Sequence, residues 1–107
     1  MNTASNATVM SNREFYRQQE SAALHRIPGV YELIHSNTEN RPALEKKYPD
    51  AAFALYLVSN LFFHDRELTT IHMSAYTDLL NGERIAEIRF LYEKAMQQYS
   101  ERHLWDD

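Results

Sequence analysis

Between Asp50 and Asn81 the chain contains neither proline nor glycine, and this stretch constrains the fold more than any other. Without a residue that breaks or loosens the backbone, the whole segment is free to be helical. Its first part, Ala51 to Phe63, is almost wholly apolar or aromatic. An apolar run of about thirteen residues falls short of the roughly twenty needed to span a bilayer, and Ser59 and Asn60 interrupt it. A helix apolar nearly all round is a buried core helix. The second part keeps one apolar stripe, Leu68, Ile71, His72, Ala75 and Leu79, which extends backwards through His64, Leu61, Leu57 and Phe53 in nearly the same phase. Two outcomes fit. One unbroken helix would be roughly 45 Å long and would overhang a small domain, inviting a second copy to cover it. Alternatively the helix breaks at His64-Asp65, with Asp65 capping a new one.

The rest of the chain is punctuated for helices. Two glycines and three prolines in 107 residues are too few for the many turns of a sandwich or barrel. This length suits one domain with one modest core. Ser11-Asn12-Arg13-Glu14 has the form of a capping box, so a first helix is expected over 12–26, with Phe15, Gln19, Ala22, Ala23 and Arg26 near one face. Pro28-Gly29 stops it. Val30 to His35 reads as a short helical piece, and Ser36 to Pro42 as the longest loop. Pro42 suits the first turn of a short helix ended by Pro49, and Asp50 suits the cap or first turn of the next. After an Asn81-Gly82 turn, a helix over 83–103 repeats Ile85, Ile88, Tyr92, Ala95 and Tyr99 at helical steps, with Leu91 and Met96 widening the stripe. The expectation is an all-α, compact bundle of four to five helices. Residues 50–80 form its hydrophobic central helix or helix pair; residues 1–10 are a disordered leader and 11–107 a single helical domain.

Composition removes several functions. With no cysteine in the sequence, disulfides, thiolate metal sites and cysteine nucleophiles are excluded, and no oxidising compartment is needed. A formal net charge of −4 disfavours nucleic acid, whose non-specific binding rests on clustered Lys and Arg. The first ten residues lack the basic and apolar regions of a secretory signal, so a cytoplasmic location is expected. His64 and His72 share a stripe but would stand about 12 Å apart along a helix, too far to hold one metal ion. No glycine-rich phosphate loop and no nucleophile elbow occurs. No metal, cofactor or catalytic residue is therefore assigned. Seven tyrosines exceed what a core of this size buries with every hydroxyl satisfied, and tyrosine favours interfaces. Tyr76, Tyr92, Tyr99 and the near-terminal Trp105 are the candidate partner-binding residues of a non-enzymatic interaction or regulatory module, expected to be homodimeric.

One short pattern points to a different class. Arg66 and His72 are separated by five residues, which resembles the Arg-x(4–6)-His signature of HEPN ribonucleases, a family of small helical domains. The resemblance covers seven residues. It implies a helix-borne pair at a dimer cleft, with Arg66 holding phosphate and His72 helping to activate the 2′-hydroxyl. Such a reaction needs a cation for the transition-state charge and a group titrating near neutrality.

Overall fold

The computed structural model describes residues 12–60 and 63–104. The expected leader, the serine of the capping box, Leu61 and Trp105 lie outside the described residues. Within them the chain is all-helical, with no strand. Six helices follow one another: α1 (Asn12–Leu24), α2 (Val30–Ile34), α3 (Arg41–Lys47), α4 (Pro49–Ser59), α5 (Arg66–Leu80) and α6 (Ile85–Arg102). The count exceeds the expected four to five because the central segment divides in two, while Pro42 and Pro49 each sit in a helical first turn. Proline's fixed φ and missing N–H suit that place and no later one, so each proline starts a helix of its own.

The long segment is two helices, and side chains explain where it divides. Ser59 Oγ donates to the Leu55 carbonyl at 2.8 Å, and Asn60 Nδ2 donates to the Tyr56 carbonyl at 3.1 Å. These bonds offer the last turn of α4 partners other than a continuing backbone. Asp65 then begins α5, its carboxylate accepting from the N–H groups of Glu67 at 2.7 Å and Leu68 at 3.3 Å, two of the donors every helix start leaves orphaned. Thr69 Oγ1 reaches back to the Asp65 carbonyl at 3.0 Å and the Phe63 carbonyl at 3.2 Å, tying the connection to the new helix.

Packing centres on α4. Ala51, Ala54 and Leu57 are wholly buried, and their small and branched side chains let four neighbours approach. Val30 and Leu33 come from α2, Ala75 and Leu79 from α5, Ile88 from α6, and Ala23 and Leu24 from α1, joined by Ile27. The most extensive helix pair is α5 with α6. It is antiparallel: Tyr92 meets His72, and Tyr99 meets Asp65. By contrast α1 runs parallel to α5, since Glu20 meets Tyr76 and Arg26 meets Gly82. Arg89 of α6 reaches Asp50 in the first turn of α4 at 2.9 Å.

Two helices turn differently from their sequence stripes. In α6, Ile88 is buried and Ile85, Tyr92, Ala95 and Tyr99 line the same side, as expected, but Leu91 points outward. In α1 the core takes Ala23, Leu24 and then Ile27, while Phe15 stays 46% and Tyr16 51% exposed. Ala23, Leu24 and Ile27 lie where the chain turns at Pro28-Gly29, closest to α4, so burying them fixes the rotation and carries the remaining stripe outward. A bond from Tyr76 to Glu20, 2.6 Å long, holds that rotation. Tyr76→Phe is expected to cost about 1.5–3 kcal/mol, the range for a hydrogen bond to a charged group; urea unfolding at pH 7 measures it. Among the described residues no helix is long and apolar enough to cross a membrane.

Candidate functional site

Among the described residues, the one buried polar or charged side chain of the core is His72, with no exposed surface. Its place follows from the stripe of α5: six residues before it Arg66 opens the helix, and three after it Ala75 packs on α4. Around the imidazole stand three rings, Tyr56 at 5.2 Å, Phe63 at 5.0 Å and Tyr92 at 5.7 Å between centroids. Nε2 lies 3.2 Å from the Leu57 carbonyl, and the Tyr92 hydroxyl lies 3.5 Å from Nδ1. The carbonyl can only accept, so Nε2 carries the proton of a neutral ring and Nδ1 is left to accept from Tyr92. Leu57 is in the last turn of α4, whose carbonyls have no partner within the helix. His72 therefore caps α4 from α5. Burial pushes its pKa down, opposed by the carbonyls of Leu57 and Tyr56. Burial also pushes the Tyr92 hydroxyl up, with the Tyr56 hydroxyl beside it adding to the effect.

A second polar cluster locks the start of α5 to the end of α6. The Tyr99 hydroxyl donates to Asp65, and Arg102 pairs with Glu67. His103 Nε2 lies 3.0 Å from the other Glu67 oxygen. The Tyr99 bond is the main reason the Asp65 carboxyl is held below its usual range. These groups neutralise one another across two helix ends. Among the described residues no three histidine, aspartate or glutamate side chains are grouped to hold a metal ion.

The open surface is of another kind. A groove of about 640 Å³ runs between α1 and α5, lined by Phe15, Tyr16, Gln19, Met73, Tyr76 and Leu80 with Thr77 and Asn81. A shallower cleft of about 290 Å³ lies between α5 and α6, bordered by Ile71, Ser74 and Leu91. Phe90, 65% exposed, stands on the outer side of α6. No family model, curated protein or solved structure matches this chain. Its chemistry has to be read from these contacts alone.

The sequence-derived candidates fall into two groups. Arg66 is exposed at the first position of α5, and His72 lies sealed in the core. They stand about 120° apart around the helix, one outside and one sealed, so the structure does not bring the pair to one surface. Tyr76 is buried against α1, while the half-buried Tyr92 meets His72 and the half-buried Tyr99 meets Asp65; all three hydroxyls are engaged inside the chain. The exposed tyrosines are Tyr16, Tyr31 and Tyr56, the last of which still packs its ring against His72. Of the groove residues, Phe15 and Gln19 were discernible on the α1 stripe. The groove residues Met73 and Leu80 were not, because their role depends on where α1 settles.

Proposed function

We propose that this chain is a non-enzymatic protein–protein interaction or regulatory module that associates with itself. The observation that supports this most directly is the exposure of Phe15, Tyr16, Met73, Phe90 and Leu91 on α1, α5 and α6. Exposed apolar surface of this kind marks interaction sites in globular proteins, and aromatic residues and methionine are enriched in them. Buried polar chemistry, by contrast, is closed: His72 has no surface to offer a substrate. The absence of cysteine suits the cytoplasm, the compartment proposed for it. Sedimentation velocity over a rising concentration series is expected to show a reversible dimer. A monomer at every concentration would remove self-association from the reading. An oligoribonucleotide incubated with the protein is expected to remain intact, whereas cleavage abolished by Arg66→Ala would put the ribonuclease in its place.

A further inference from the structure

We infer that the α1/α5 groove is the self-association site, and that its occupant is the same face of a second copy. This inference rests on the self-association proposed above and names the surface that performs it. Four features of the groove converge on a copy of this chain.

The first is the state of α1. From Asn12 to Gln19 every residue is exposed, although the segment is helical. Two turns of helix do not persist in water without tertiary contacts, and this one carries Phe15 and Tyr16 packed edge to face, with 5.6 Å between ring centroids. A surface that covers those rings would stabilise the turns that hold them.

The second is spacing. Phe15, Gln19 and Ala22 step by four and three residues along α1, while Thr70, Met73, Thr77 and Leu80 step by three, four and three along α5. This alternation keeps a seam facing a partner helix and lets side chains of two chains interlock. The stripe on α1 is the one the sequence displays and the monomer leaves half outside its core.

Size is the third. The α1/α5 groove has about 640 Å³ against about 290 Å³ for the α5/α6 cleft. Two parallel helices, each roughly 20 Å long, form one half of a four-helix bundle. Two more helices complete it, and a second copy brings a matching pair.

The fourth is charge. A two-fold interface sets a patch against itself, so a charged residue near the axis meets its own like charge. Among the described residues, no charged side chain lines this groove. The outer side of α6 is less suited to self-pairing, because Glu87 borders Phe90 and Leu91 there.

The full chain tests this by sedimentation and by hydroxyl-radical footprinting across the concentration series. Phe15, Tyr16 and Met73 are expected to become protected as the dimer forms, while Phe90 and Leu91 keep their reactivity. Phe15→Asp with Met73→Asp is expected to weaken dimerisation at least about 30-fold, the loss typical of a central interface residue. Phe90→Asp is expected to change it by less than about twofold, as for a residue outside the contact. Footprinting of the unaltered protein decides the matter even if the double variant loses helix α1. A dimer that forms without protecting Phe15 and Met73 overturns the inference and leaves self-association standing on another face. A monomer at all concentrations overturns both. A monomer whose Phe15 and Met73 are protected only while residues 1–11 are present makes the chain's own terminus the occupant, and the inference falls.

Discussion

Gly29→Ala is expected to destabilise the protein by roughly 2–5 kcal/mol. Gly29 has φ +95°, and a Cβ built there would stand 2.2 Å from Cγ and 2.5 Å from Cβ of Tyr48. Two penalties add. An L-residue in the left-handed region costs about 1–2 kcal/mol, and forcing extra volume into a packed site costs about 1–3 kcal/mol. The clash meets the root of the Tyr48 side chain, which cannot swing away without moving the backbone between α3 and α4. Gly82→Ala separates the two penalties. Gly82 has φ +85°, yet the nearest atoms to a new Cβ belong to the flexible guanidinium of Arg26 at 3.3 Å. Only the conformational penalty remains, about 1–2 kcal/mol. Against a total stability on the order of 5–15 kcal/mol for a domain, the Gly29 variant should show a much lower urea midpoint than the Gly82 variant. Equal midpoints would mean that Tyr48 yields easily.

That contrast also shows which parts of the fold were legible in the sequence. Pro28-Gly29, Pro42, Pro49 and Asn81-Gly82 mark helix ends through constraints local to the backbone, and each lies at a boundary. The division of residues 50–80 was open, because an apolar stripe in constant phase fits one helix as well as two. Ser59 and Asn60, read only as too polar for a membrane, are the residues whose side chains close α4. Asp65 as a cap was readable because its oxygen serves donors two and three residues ahead. The rotation of α1 was not readable. It depends on Tyr76 finding Glu20 across 56 positions of sequence, and no local pattern encodes that meeting. The same limit applies to the tyrosines: their number implies some exposed rings, but partners distant in sequence decide that Tyr16 is open and Tyr76 closed.

Stability should fall as the pH drops below about 6.5, the ordinary pKa of histidine in an unfolded chain, and His72 should account for that fall. Burial lowers the pKa of His72 in the folded state, so the unfolded chain binds its proton first. The folded state's advantage is then complete above the unfolded pKa. It declines as pH falls, until the folded histidine titrates as well. For one group the slope cannot exceed about 1.4 kcal/mol per pH unit. Among the described residues no carboxylate faces the ring to offset the new charge: its neighbours are the Tyr56, Phe63 and Tyr92 rings and the Leu57 carbonyl. His72→Leu supplies the comparison. It leaves the Leu57 carbonyl without its donor, and should lower stability at pH 8 by about 1–3 kcal/mol. It should also remove this part of the decline, so the gap between the two proteins narrows from pH 7 to pH 5. Subtracting the two urea-unfolding profiles cancels groups common to both, including Asp65, whose lowered pKa moves its own loss of stabilisation to more acidic pH. A constant gap would mean that the ring gains its proton without leaving the core, with the aromatic faces around it stabilising the cation. A narrowing gap would mean that the buried site holds the neutral ring in preference to the cation, whose Nδ1 can no longer accept from Tyr92, and that acid loosens the joint at the centre of the fold before it reaches the Asp65 carboxylate that meets the end of α6.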